Sequence, residues 1–182
     1  MKKFTLNKQN TILMVIDIQD RLVPAMKVAD KVIENTNILV SAAKEFNMPI
    51  ITTEQYPKGL GNTVPELKDV INSNYLFEKN SFTAYTEEVK LALGQLGRKK
   101  VIITGMETHI CVFQTARDLL AHGYDVFIAS DAVCSRTKEN FLNGLDLIKD
   151  MGAVITNTET IIFDLLKKAG TPEFKVLSKL IK

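Results

Sequence analysis

"VIITGMETHICVFQTARDLL" (residues 101–120) runs from an apolar, β-branched stretch to Gly105, turns through residues 106–108 and enters a helical pattern. The apolar run is continuous rather than alternating, as expected of a strand buried on both faces, and hence of a parallel sheet. Five other runs read the same way: "TILMVID" (11–17), "MPIITTE" (48–54), "NYLFEK" (74–79), "DVFIAS" (125–130) and "GAVIT" (152–156). Helical patterns lie between them. Residues 30–46 place Val32, Ile33, Leu39, Ala42 and Ala43 near one face, and "TARDLLAHG" and "ENFLNGLDLIKDMG" each stop at a glycine. "TETIIFDLLKKAGTPEF" opens on a cap-like threonine run and ends at Gly170 and Pro172.

Strand and helix alternating about six times predict a three-layer α/β/α Rossmann-like domain with a six-stranded, mostly parallel sheet. The commonest order is 3-2-1-4-5-6, with right-handed crossovers. A single domain is expected over 1–182, with residues 170–182 as a C-terminal tail that packs either on the domain or on a neighbouring subunit. In this order strands 1 and 4 flank the switch point, and ligands bind beyond the carboxyl ends of the strands there.

Three residues stand out at those ends. Asp17 directly follows "ILMVI", where a carboxylate is costly to bury unless paired; it is either a turn residue or a carboxylate held at the mouth of the sheet. Thr108 is a plausible N-cap, which puts Cys111 in the first helical turn. A helix N-terminus lowers a thiol pKa and offers N–H groups to an anion, so this turn can supply a nucleophile and an oxyanion hole. A free cysteine also packs simply as a small apolar residue. Lys79, at the end of strand 3, is either a surface lysine or the cation of a three-part site.

The ordered segments "VIDIQ", "EKNSFTAY" and "GMETHICV" resemble the isochorismatase-like cysteine hydrolase superfamily, from about residue 10 to 167. "TTEQYPKGLGNTVPEL", "DAVCSRT" and the terminal "FKVLSKLIK" are similar to its isochorismatase-domain-containing members of largely unassigned function. The resemblance implies an Asp–Lys–Cys triad at Asp17, Lys79 and Cys111. It also implies a non-proline cis peptide joining Met106 to Glu107, and an oxyanion hole from the N–H groups of Glu107 and Cys111. The reaction implied is hydrolysis of a small amide, carbamoyl or related C–N bond through a thioester. Gln19, Tyr56, Phe82, Thr108 and His109 are the candidate substrate-pocket residues.

Metal-binding members of the family carry an aspartate and two histidines beside the pocket. The corresponding "TTEQYPKGLGN" has no histidine, and the chain has only His109 and His122. No metal and no cofactor are expected, and nicotinamide is a poor substrate candidate. Cys111 argues against vinyl-ether cleavage, which does not need a thiol. Cys134 is a packed thiol or, in a rival reading, the resolving partner of Cys111 in a redox protein. A non-catalytic binding or scaffold protein is the other rival.

The composition, 46% hydrophobic and 24% charged, is that of an ordinary globular protein. A net charge of +2 gives no argument for nucleic acid or an anionic membrane. The apolar "ILMVI" is too short for a secretory core, and no run approaches a membrane span. Two cysteines make no disulfide framework. The expectation is therefore a cytoplasmic protein acting on a small molecule, and the resemblance implies a homodimer or larger homo-oligomer.

Overall fold

The structure, a computed structural model, describes residues 2–71 and 74–181. Six strands form one sheet: β1 (Thr11–Ile16), β2 (Ile50–Gln55), β3 (Leu76–Lys79), β4 (Lys100–Met106), β5 (Asp125–Cys134) and β6 (Val154–Thr156). Their order is β3-β2-β1-β4-β5-β6 and every neighbouring pair is parallel. The sheet expected from the sequence is thus the sheet observed, without an antiparallel strand.

The helices are α1 (Ala29–Glu45), the short α2 (Pro57–Leu60) and α3 (Pro65–Lys68), α4 (Glu87–Leu96), α5 (Phe113–Ala121), α6 (Lys138–Asp150), α7 (Thr158–Leu166) and α8 (Pro172–Leu177). They cover both faces, which is why the strands read as continuous apolar runs. In β1, Leu13 and Val15 enter the core shared with α1, α7 and α8. Ile12, Met14 and Ile16 enter the core shared with α4, α5 and α6. All six residues of β1 are buried. The tail packs on its own domain: Leu177 is fully buried, and the rings of Phe163 and Phe174 lie 6.5 Å apart.

Three local expectations are corrected. Strand β5 continues to Cys134 rather than ending at residue 130. Its polar centre is bonded internally: Ser130 Oγ donates to the Thr156 carbonyl, and Asp131 Oδ1 accepts from Thr158 N and Oγ1. Helix α7 is capped by Asn157, whose side chain accepts from Thr160 N, not by its threonines. Thr108 is not an N-cap. Residues Thr108–Val112 form a π-helical turn whose cap position is Glu107, and α5 begins only at Phe113.

Close backbone approaches hold that turn in place. Gly105, the last residue but one of β4, has φ +126°, and a Cβ there would fall 2.0 Å from the Ile16 carbonyl oxygen, so only glycine fits. Gly144 of α6 faces the π turn, where a Cβ would lie 2.9 Å from His109 N, His109 Cα and the Thr108 carbonyl carbon. Gly144→Ala should therefore destabilise the protein by ~1–3 kcal/mol, as overpacking does. Gly94→Ala, on α4 with nothing within 4 Å, should stabilise it by up to ~1 kcal/mol through helix propensity. Urea unfolding of the two variants tests this pair; equal midpoints would show that α6 does not pin the turn.

Candidate active site

The carboxyl ends of β1, β3 and β4 deliver the three residues singled out in the sequence. Asp17 leaves β1 at φ +53° and is fully buried, its N–H donating to the Thr53 carbonyl at 3.1 Å. Lys79 ends β3, the sheet's edge strand, with its side chain inaccessible to solvent. Its Nζ donates to Asp17 Oδ2 at 2.7 Å, to Gln55 Oε1 at 2.7 Å, and to the Ser81 and Phe82 carbonyls, each at 3.2 Å. Thr53 Oγ1 donates to the other carboxylate oxygen, Asp17 Oδ1, at 2.7 Å. The ion pair is thus buried but not bare: each charge has neutral dipoles around it as well as its opposite, the condition under which such a pair is tolerable.

Cys111 lies in the π turn, 6% exposed, and interacts with the Asp17 carboxyl through its thiol. The main chain anchors it: Thr115 Oγ1 donates to the Cys111 carbonyl at 2.6 Å and accepts from Ala84 N at 2.8 Å, tying the turn to the segment after β3. The Met106–Glu107 peptide bond is cis. The Glu107 backbone amide interacts with the sulfur and favours its thiolate. The Glu107 side chain turns the other way, its Oε2 accepting from Arg136 N at 2.9 Å and Arg136 Nε at 3.1 Å.

The electrostatics correct the expectation of a lowered thiol pKa. Burial pushes Cys111 up to about 12, and the Asp17 charge adds to the rise, while Lys79 and the Glu107 amide oppose it. Burial likewise raises Asp17 above the usual carboxylate range, against the pull of Lys79, Thr53 and Cys111. Reading a helix N-terminus from sequence missed both the depth of the sulfur and the carboxylate beside it. The resting form is a thiol next to a carboxylate of increased basicity.

The other candidates divide. His109 Nδ1 is hydrogen-bonded to Ser135 Oγ at 2.9 Å, and Thr108 is buried with its hydroxyl unpartnered among the described residues. Phe82 is 55% exposed beyond the Lys79 ammonium. Gln19 is corrected from a pocket residue to a clamp: its amide bonds the Gln55 and Gly61 carbonyls and Gln55 N, at 3.0, 2.6 and 2.7 Å. Tyr56 has its ring turned onto Gly59. Cys134 packs in the layer of α1 and α7 whereas Cys111 packs in that of α5 and α6. The two thiols thus lie on different faces of the sheet, which is no arrangement for a redox pair.

Thr53 went unassigned in the sequence, and Gln55 read only as a substrate contact or a loop residue, although a signal for both existed. With strand order 3-2-1, whatever lies between Asp17 and Lys79 must come from the end of strand 2, and Gln55 is in register with Lys79. Among the described residues no three His, Cys, Asp or Glu side chains converge as metal ligands. Glu54, the acid of the region where related proteins bind metal, accepts Thr63 N and Oγ1 on one oxygen. This donor set does not fit such an ion. No described helix is long and apolar enough to cross a membrane.

Residues 11–160 match the family model described as the isochorismatase domain. The chain is 42% identical over 178 residues to the secreted isochorismatase effector Isc1 of Phytophthora sojae, covering 95% of this chain and 85% of that protein. Some relatives are longer, and the chain spans 61% of one of them. Among solved structures it is similar to that described as the MAR1 ribonuclease of Caenorhabditis elegans, with TM-score 0.93, 35% identity, and coverage of 97% of this chain and 92% of that one. It is also similar to the YcaC product of Escherichia coli, described as an octameric hydrolase of unknown specificity. There the TM-score is 0.91 at 25% identity, covering 97% of this chain and 90% of that one. The chain belongs to the isochorismatase family and is one of its hydrolases.

Proposed function

We propose that the protein is a cysteine hydrolase that cleaves a small amide, carbamoyl or related C–N bond without a metal ion, using Asp17, Lys79 and Cys111. The observation that carries this reading is the buried Asp17–Lys79 ion pair, 2.7 Å long, with the Cys111 thiol interacting with the same carboxyl. Burying two charges at the mouth of a sheet costs several kcal/mol per ion before pairing, and a packed structural thiol needs neither.

The chemistry follows from the arrangement. Asp17 takes the thiol proton as the sulfur attacks the carbonyl carbon, and Lys79 holds the carboxyl in position throughout. Because Cys111 titrates near 12, the proton leaves as the C–S bond forms rather than beforehand. A raised Asp17 pKa makes the carboxylate a stronger base toward the thiol proton, which favours general-base transfer. The oxyanion of the tetrahedral intermediate is received by the N–H groups of Glu107 and Cys111. Asp17 then returns its proton to the leaving nitrogen, which departs as amine and leaves a thioester. Water, deprotonated by Asp17, cleaves the thioester to release the acid, and the proton goes back to sulfur. One amide and one water are consumed, and one acid and one amine are formed.

The chain is further proposed to be a single domain and to work as a homo-oligomer, as the octameric Escherichia coli hydrolase does. A reducing compartment such as the cytoplasm suits two free thiols.

A screen of small primary amides and carbamoyl compounds should find turnover that Cys111→Ser abolishes and that a chelator leaves unchanged. A substrate turned over equally well by Cys111→Ser would sink the assignment. Asp17→Asn should reduce turnover by at least ~10², the lower range for general-base loss. Substituting the two members of the ion pair should move the Cys111 thiol in opposite directions. Alkylation of Cys111 should keep accelerating above the free-cysteine value of about pH 8.5. Asp17→Asn removes a negative charge and should bring the thiolate in at lower pH. Lys79→Ala removes a positive one and should delay it to higher pH. A wild-type plateau near pH 7 would contradict the buried-thiol description. Light scattering should give a mass above that of one chain; a concentration-independent monomer would refute assembly.

A further inference from the structure

A cavity of ≈ 370 Å³ opens beyond the carboxyl end of β5, between the starts of α1 and α6. Its size is that of a small-molecule site. Val28, Val32, Val133 and Phe141 give it an apolar floor, and Lys27, Lys31, Arg136 and Lys138 stand around it. Among the described residues, Lys27, Lys31 and Lys138 form no salt bridge. Arg136 meets Glu107 through Nε alone, which leaves its terminal nitrogens for another acceptor. The one acid in the lining, Asp131, uses Oδ1 to accept from Thr158. Four cations thus stand against two acids, Asp131 in the lining and Glu107 behind Arg136, and the cavity keeps an excess of positive charge.

We infer that this cavity binds a small organic anion, a carboxylate carried on a compact apolar body. The apolar body lies against the valines and Phe141, and the carboxylate takes the guanidinium edge of Arg136 together with the lysine ammonium groups. Such a ligand satisfies both features of the cavity at once; a neutral apolar molecule leaves the cations facing one another, and inorganic phosphate leaves the floor wet. The cavity is not the Cys111 site, since Cys111 does not line it. The two share a wall: Arg136 bonds Glu107, and Ser135 at the cavity bonds His109 of the π turn. An occupant therefore sits one side chain away from the segment that carries the thiol.

The test is binding to the full chain, read by methyl NMR at Val28, Val32 and Val133, with benzoate as probe and benzamide as its neutral isostere. Benzoate should move these resonances along a saturable curve, and benzamide should bind at least tenfold more weakly. Lys27→Glu combined with Lys31→Glu should lower benzoate affinity at least tenfold, as should the single Lys138→Glu, which guards against a misfolded double variant. Cys111→Ser should bind as the wild type does, so this result stands apart from any result on amide turnover. No saturable shift, an equal response to benzamide, or affinity untouched by charge reversal would overturn the inference. So would a response to a short oligouridylate but not to benzoate, which would assign the patch to a phosphate backbone instead.

Discussion

Everything at the active edge depends on one interaction, the ion pair between Lys79 and Asp17. Neither side chain is reached by solvent. An unpaired charge at that depth is destabilising by roughly 3–5 kcal/mol, so each residue makes the other's position possible. The pair also joins β1 to β3, which are not neighbours in the sheet. Strand β2 lies between them and fills the gap with Thr53 on the carboxylate and Gln55 on the ammonium. Three strand ends are thereby locked into one polar network inside an otherwise apolar edge, and the network is satisfied on both sides, as buried polar groups require.

The second constraint is the approach of β4 to β1 and of α6 to the π turn. Both are glycine contacts, at Gly105 and Gly144. They let the main chain at residues 105–109 sit closer to its neighbours than any side chain would allow. The π turn then places Cys111 where the Asp17 and Lys79 charges act on its thiol. Thr115 ties the Cys111 carbonyl to Ala84 in the segment just beyond Lys79. Charge pairing fixes the carboxylate, and steric approach fixes the thiol.

Much of this was legible in the sequence, for identifiable reasons. Continuous Ile and Val runs can only be strands covered on both faces, so the layer architecture and the parallel sheet followed. Strand order followed from the usual two-halves winding, and with it the position of Asp17, Lys79 and Cys111 at strand ends. The failures are equally specific. Strand β5 read as ending at Ser130 because the partners of its polar residues, Thr156 and Thr158, are distant in sequence. Gln19 read as a pocket residue because its acceptors belong to the segment after β2.

The sequence by itself brought a thiol, a carboxylate and a lysine toward one edge of a sheet: Asp17 directly after an apolar run, Lys79 at the end of the third run, and Cys111 in the turn beyond the fourth. Periodicity and composition give the buried strands and the end at which polar residues gather; the resemblance to the isochorismatase-like hydrolases is what joined these three residues into one candidate site. The tertiary structure alone decided the state of that chemistry. A helix start, seen in sequence, argues for a thiolate; burial and the Asp17 charge make Cys111 a thiol that titrates near 12. Desolvation and the distance to an opposite or like charge are properties of the packed molecule, and no pattern along the chain encodes them.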